Sequence, residues 1–209
     1  MDSQIALSVI AIICAYVVGS VPSAYIMGRL RKGVDIRQVG SHSMGAMNVF
    51  YQVGFIEGLI VLAADIGKGA ATVALARWLG APLVAQFLAG AAVVTGHAFT
   101  VFLKFKGGRG GATCIGVLIY SIPWGIPFYA AIFGLSLLLT HYPTLSYSIA
   151  FITFPFIAWL KYGSWELVVF SIGILLIPAL KYVPRLREMR DRAGSWKHVF
   201  LRRNLKDRL

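Results

Sequence analysis

The sequence predicts an all-α, polytopic membrane protein of about seven transmembrane helices, with its N-terminus outside and its C-terminus in the cytoplasm. Three observations carry this. The chain is 58% hydrophobic over 209 residues, with a mean hydropathy of +0.74, more apolar than a soluble domain of that length. Its apolar residues gather in runs suited to crossing a bilayer, which takes about 20 residues per helix. Its cations border those runs instead of being spread evenly.

The first run, 4–29, follows Asp2 rather than a basic region and is longer than a signal-peptide core, so it reads as a span. Runs at 57–79 and 82–103 come next. Asp65 and Lys68 lie inside the second run at i, i+3, where they meet on one helix face. They form either a structural ion pair or part of a polar pocket. The fourth run, 111–122, is short, which makes it tilted, partial or buried in protein. Runs at 124–141, 144–160 and 165–181 complete the set, separated by Pro123, by His141-Tyr142-Pro143 and by Lys161-Tyr162-Gly163-Ser164. Residues 1–181 are thus expected to form an integral membrane domain, and 182–209 a basic cytoplasmic tail. In that tail Leu186, Met189, Trp196, Val199, Phe200 and Leu205 are interspersed with cations, the pattern of an amphipathic membrane-surface helix. No internal repeat of the transporter kind is visible. Cys14 and Cys114 lack metal spacing and read as buried free thiols.

The net charge of +12 brings nucleic acid to mind, but its distribution argues against that partner. Ten of the 20 Lys/Arg lie from Lys181 onward, four are Arg29, Arg31, Lys32 and Arg37, and three are Lys104, Lys106 and Arg109. Cations at the ends of apolar spans follow the positive-inside rule and meet anionic lipid headgroups. With the N-terminus outside, all three clusters face the cytoplasm, and the outer connections hold only Arg77 and Lys161.

Two glycine-rich segments fall on that cytoplasmic face. Lys104-Phe105-Lys106-Gly107-Gly108-Arg109-Gly110-Gly111 sets cations among glycines between apolar runs. Glycines let backbone N–H groups approach a phosphate, and the cations neutralise it. The segment lacks the spacing and the Lys-Ser/Thr end of a Walker motif. Gly40-Ser41-His42-Ser43-Met44-Gly45-Ala46-Met47-Asn48 offers backbone donors with Ser41, His42, Ser43 and Asn48 side chains, or is simply a polar interfacial loop. Asp35 and Arg37 form a local ion pair, or Arg37 faces lipid phosphate. His97 is a possible general base, because histidine titrates near neutrality; equally, it is a hydrogen-bonded packing histidine. His141 and His198 are further titratable groups. No His/Cys/Asp/Glu cluster has metal spacing, no Ser-His-Asp order is evident, and no cofactor is expected. The chain reads as a membrane protein handling a phosphorylated ligand at one face of the bilayer.

These residues resemble the bacterial acyl-phosphate:glycerol-3-phosphate acyltransferases, the PlsY family, over nearly the whole chain. Gly19-Ser20-Val21-Pro22-Ser23 resembles the family's first-span signature. Asp35-Ile36-Arg37, Gly40-Ser41 and Gly45-Ala46-x-Asn48 resemble its first motif, and Asp65-Ile66-x-Lys68-Gly69 its second-span signature. Gly96-His97 and Phe105-Lys106-Gly107-Gly108-Arg109-Gly110-x-Ala112-Thr113 resemble its glycine-rich motif, with Arg109 for the usual second lysine. The resemblance implies a seven-span enzyme of the bacterial cytoplasmic membrane that needs no metal. It transfers the acyl group of acyl phosphate to the 1-hydroxyl of glycerol 3-phosphate, giving lysophosphatidic acid. The proposed chemistry is substrate-assisted, a phosphate oxygen taking the hydroxyl proton. Ser41, His97 and Lys106 are the implied catalytic residues. Ser41, His42, Ser43, Asn48, Lys104, Lys106, Gly107, Gly108, Arg109, Gly110, His141 and Thr144 are the implied substrate-binding set.

The chain departs from the family pattern in places. Gly-Ser-Gly-Asn reads Gly40-Ser41-His42-Ser43, and the arginine expected ten residues after Ser41 is Tyr51, which cannot replace a guanidinium fork. Thr140-His141-Tyr142-Pro143-Thr144-Leu145 resembles the family's Thr-Arg-Tyr-Val-Ser-Leu, with His141 for arginine and Thr144 for serine. The family's third motif, Arg-His followed by Asn-Ile, meets Lys181-Tyr182 and Arg185 here, with Lys197-His198 a distant substitute. These departures keep two alternatives in view: a homologue that binds phospholipid or acyl phosphate without turnover, and an acyltransferase with a changed acceptor.

Overall fold

The computed structural model describes residues 2–200, which are helical, with no strand among them. The expected tail residues Arg202, Arg203, Leu205, Lys206 and Arg208 lie outside the described residues. Each apolar run finds its helix. The first becomes α1 (Asp2–Ser20) and α2 (Ser23–Lys32), broken at Pro22, which has no N–H to continue the ladder. Gly33 ends α2 in the left-handed region (φ +66°). The short α3 (Ala46–Gln52), α4 (Phe55–Trp78), α5 (Leu83–Ala98) and α6 (Gly111–Ser121) follow. After them come α7 (Gly125–Thr140), α8 (Pro143–Ala150), α9 (Thr153–Tyr162), α10 (Trp165–Gly173), α11 (Leu176–Ala193) and α12 (Trp196–Phe200).

Among the described residues, five stretches are long and apolar enough to cross a membrane: Gln4–Lys32, Phe55–Trp78, Leu83–Leu103, Pro143–Tyr162 and Trp165–Ala193. Gly111–Ser121 and Gly125–Thr140 are apolar but shorter. The expected boundary after residue 181 falls inside α11, which continues through Pro184. Of the two thiols, both free, Cys114 is buried while Cys14 is exposed on α1, contrary to the expectation that both are buried.

The chain divides into two compact units, one of Met1–Ser121 with Ile174–Pro178, the other of Ile122–Gly173 with the chain from Ala179. In the first unit helices meet through glycines. On α1 and α5, Gly19 lies against the Val93 backbone and Gly96 against the backbone of Tyr16 and Ser20. On α4 and α6, Gly69 lies against the Thr113 backbone and Gly116 against that of Ile66. A Cβ at any of these would collide with main chain, and small residues are how membrane helices approach so closely. Polar ties fix the end of α5 to that of α1: the Tyr16 hydroxyl donates to the Phe99 carbonyl at 2.7 Å, and Thr100 Oγ1 to the Ser20 carbonyl at 2.5 Å.

In the second unit Tyr129 of α7 lies against Phe151 and Phe154, ring centroids 5.8 and 5.5 Å away. The Tyr142 hydroxyl pairs with that of Tyr182 and donates to Met189 Sδ at 3.3 Å. Met189 and Val199 are fully buried with Tyr142, so part of the expected surface tail packs inside this unit.

Candidate functional site

The loop after α2 is folded by its own polar side chains. Asp35 caps a 3-10 turn, Ile36–Gln38, by accepting the Arg37 N–H at 3.0 Å. The same carboxylate grips the Arg37 guanidinium with two bonds, Nε to Oδ1 at 3.0 Å and Nη2 to Oδ2 at 2.7 Å. Of the two readings of this pair, the structure shows the ion pair. Hydrogen bonding to Arg37 holds the Asp35 carboxyl below its ordinary range and raises Arg37 in turn. The guanidinium also lies over the Tyr25 ring, 5.2 Å from its centroid.

Asn48, 3% exposed, binds this loop from the inside. Its Oδ1 accepts the Ser41 N–H at 3.0 Å, and its Nδ2 donates to the carbonyls of Ile36, Val39 and Ser43 at 2.9, 3.0 and 3.0 Å. Gly40 is left-handed (φ +60°), and a Cβ there would strike the Asn48 amide. His42 is also left-handed (φ +54°), and its Nδ1 donates to the Arg37 carbonyl at 3.0 Å.

The second glycine-rich segment is built on the end of α5. Lys104 and Phe105 take successive left-handed conformations (φ +54° and +59°) and turn the chain back. The Gly107 N–H then donates to the Ala98 carbonyl at 3.2 Å, and the Gly108 N–H to the His97 carbonyl at 3.0 Å. A Cβ on Gly107 would collide with the His97 carbonyl, and one on Gly108 with His97 Nε2. These two glycines are required by the close approach, and their amides are committed to main-chain carbonyls. Gly110 (φ +90°) turns the chain into α6.

The two segments meet at a cleft of about 430 Å³, lined by Asp35, Arg37, Gln38, His42, Met44, Lys106 and Gly107. His42, Lys106 and Gly107 are thereby brought together from the expected set. Ser41 and Ser43 belong to the loop but do not line the cleft, Asn48 braces that loop from α3, and Lys104, Gly108, Arg109 and Gly110 belong to the glycine turn beside it. His141, left-handed at the end of α7, and Thr144, in the first turn of α8, lie in the second unit. Gln38 and Met44 were not singled out from the sequence; their nearness to the glycine-rich segment was the available signal.

Behind the glycine turn sits a buried polar cluster. Asp65, 1% exposed, receives the Ser23 hydroxyl at 3.0 Å and the Lys68 ammonium at 2.8 Å. His97 Nδ1 faces the same carboxylate oxygen at 3.5 Å. Lys68 also donates to the Val21 carbonyl, at the break between α1 and α2, at 3.2 Å. Chemically, the cleft offers Lys106, Arg37 and His42 to an anion, on walls held by hydrogen bonds from α3 and α5.

A family model described as glycerol-3-phosphate acyltransferase matches residues 9–191. The chain is 50% identical to glycerol-3-phosphate acyltransferase 2 of Dehalococcoides mccartyi (strain ATCC BAA-2266 / KCTC 15142 / 195) over 203 residues, covering 96% of this chain and 97% of that relative. It is similar to the crystal structure of PlsY (YgiH), an integral membrane glycerol 3-phosphate acyltransferase, in its glycerol 3-phosphate form. The TM-score is 0.81 at 28% identity, over 90% of this chain and 92% of that one. The lysophosphatidic acid form of that protein gives a TM-score of 0.77 at 29% identity over the same shares.

Proposed function

This chain belongs to the glycerol-3-phosphate acyltransferase family, and from that premise we infer that it is a membrane acyltransferase of phospholipid synthesis. It moves a fatty acyl group from acyl phosphate to the 1-hydroxyl of glycerol 3-phosphate, forming lysophosphatidic acid and inorganic phosphate. The observation that carries this reading is the cleft in which Lys106 and Gly107 meet Arg37 and His42, a place for a phosphorylated substrate.

The hydroxyl oxygen attacks the acyl carbonyl carbon, and the bond from that carbon to the phosphate oxygen breaks. The hydroxyl proton passes to a phosphate oxygen, and inorganic phosphate leaves. Such chemistry asks the protein to orient two anions and stabilise charge. Lys106, Ser41 and Arg109 are assigned to the phosphate groups, with His42, Ser43 and Lys104 beside them and Asn48 supporting the loop. Gly107 and Gly108 let the turn lie against α5, while Gly110 and the first amides of α6 are assigned to the phosphate, as at other helix N-termini. The parts of His141 and Thr144 rest on the resemblance of their segment alone.

The same reading gives seven spans in the bacterial cytoplasmic membrane, N-terminus outside. Residues 1–181 form the membrane domain, and the basic tail from 182 meets anionic lipid headgroups. The distribution of cations supports this orientation. Single cysteines at Lys161 and Arg187, in a chain lacking its native two, test it: an impermeant thiol reagent labels the first from outside and the second only after permeabilisation.

The activity is tested by phosphate release from synthetic acyl phosphate, with and without glycerol 3-phosphate. Acceptor-dependent release with lysophosphatidic acid is expected. Release only with another polyol phosphate would assign a changed acceptor, and no release from folded protein would assign a binding homologue.

A further inference from the structure

Asp65 and His97 do not line the cleft, yet the chain keeps both inside an apolar helical scaffold, where ionisable groups are costly. His97 touches the glycine turn at several points. Its carbonyl accepts the Gly108 N–H at 3.0 Å, and the next carbonyl, of Ala98, accepts the Gly107 N–H at 3.2 Å. Its ring Nε2 lies so close to Gly108 that a Cβ there would collide. The same Cβ would lie 2.9 Å from the Met44 carbonyl oxygen, in the loop that lines the cleft together with this turn. Gly108 therefore packs closely against both the His97 ring and that loop, directly after the two turn residues, Lys106 and Gly107, that line the cleft.

What sets the ring is Asp65. Its Oδ1 faces His97 Nδ1 at 3.5 Å, which favours the proton on that nitrogen and leaves Nε2 toward Gly108. The carboxylate is itself held by Ser23 at the start of α2 and by Lys68 one turn further along α4. Lys68 reaches on to the Val21 carbonyl. The ring is thus referenced to α2, α4 and the break after α1 at once.

We propose that Asp65 and His97 are positioning residues for acyl transfer: the carboxylate fixes the imidazole, and the imidazole fixes the Lys106–Gly108 turn at the height the reaction needs. This rests on the acyl-transfer reading above and makes neither residue a proton acceptor. Displacing a reacting group by about 1 Å costs on the order of 100-fold in rate, so the pair acts on turnover more than on affinity.

The test is steady-state acyl transfer by purified full-length protein, with thermal unfolding measured on the same samples. His97→Asn puts an amide where Nδ1 stands, keeping the link to Asp65 while removing the part against Gly108. We expect kcat to fall at least ~10-fold, with the KM for glycerol 3-phosphate within about 3-fold and the unfolding midpoint unchanged. Asp65→Asn is expected to give a similar loss. The double variant is expected to be no worse than the poorer single one, because both act through one arrangement. Wild-type kcat in either folded variant, or losses that multiply in the double, overturns the proposal. If neither variant folds, Gly108→Ala decides: it pushes the turn off the ring, and full activity there overturns the proposal while a lowered kcat supports it. Wild-type protein without turnover would overturn the acyl-transfer reading and this inference with it. Active wild type with unimpaired variants would overturn this inference alone.

Discussion

Asn48 holds Ser41 in place: Asn48 Oδ1 accepts the Ser41 N–H at 3.0 Å while its Nδ2 serves the carbonyls of Ile36, Val39 and Ser43. Two amide protons serve three acceptors, so nothing of similar size replaces this side chain. Asn48→Asp keeps the acceptor but has no protons for the carbonyls. Leaving a buried polar group unpaired costs about 1–3 kcal/mol. The expected result is a lower unfolding temperature together with a KM for glycerol 3-phosphate raised ~10-fold or more, read from thermal melts and initial rates. Unchanged affinity in Asn48→Asp would separate the loop from substrate binding.

Lys106 stands exposed on the cleft wall, so its removal should cost function without costing the fold. Lys106→Ala is expected to lower kcat/KM by roughly 100-fold or more, the scale of losing one charge-stabilising donor. Lys106→Arg should recover part of it. Arg109→Ala is expected to abolish activity in protein that still elutes as a single folded species; full activity would remove Arg109 from the site.

The glycines of the helix seams make opposite predictions within one region. A Cβ at Gly116 would strike the Ile66 carbonyl, backbone that cannot yield, whereas nothing lies within 4 Å of one at Gly67. Gly116→Ala should therefore destabilise by about 1–3 kcal/mol. Gly67→Ala, in the exposed face of α4, should be neutral or stabilise by roughly 0.5–1 kcal/mol. Melting the two variants side by side in one detergent checks the contrast.

Asp35 gives a pH prediction with a definite sign. Its folded carboxyl is held below its ordinary value of 3.8 by the Arg37 hydrogen bonds. A depressed carboxylate contributes stability that is complete above its unfolded value and lost as pH falls through the folded one. Asp35→Asn should therefore melt lower than wild type by a constant margin from neutrality down to about pH 5. The margin should close only in stronger acid. A margin that changes between pH 6 and 8 would mean another group controls the clasp.

The apolar runs were legible because hydropathy accumulates over many consecutive residues. Even the brevity of the fourth could be read, and α6 is Gly111–Ser121. The break at Pro22, whose missing N–H interrupts the helix, the 3-10 turn at Ile36–Gln38, closed by Asp35, and the short α3 were not marked by hydropathy, since each is set by a few polar or proline residues within an apolar or mixed stretch. Among site residues, Lys106 and His42 announced themselves through glycine-rich surroundings. The pairing of Asp65 with Lys68 followed from helical spacing, but the third partner did not: His97 comes from α5, and no periodicity links it to α4. Likewise the commitment of the Gly107 and Gly108 amides depends on where α5 ends, which composition alone does not fix. The tail reads as a surface helix from its charges. Met189 and Val199 are instead buried because Tyr142, remote in sequence, supplies an apolar partner.

Where Gly19, Gly96, Gly69 and Gly116 bring helices together, main chain rests on main chain, and the side chains facing lipid take no part in the joint. The cleft hangs from a frame whose dimensions are those of the polypeptide itself. The outer surface is then free to drift, and a lineage whose membrane grows thicker, stiffer or differently charged can re-dress the outside of the enzyme without recutting its reaction chamber.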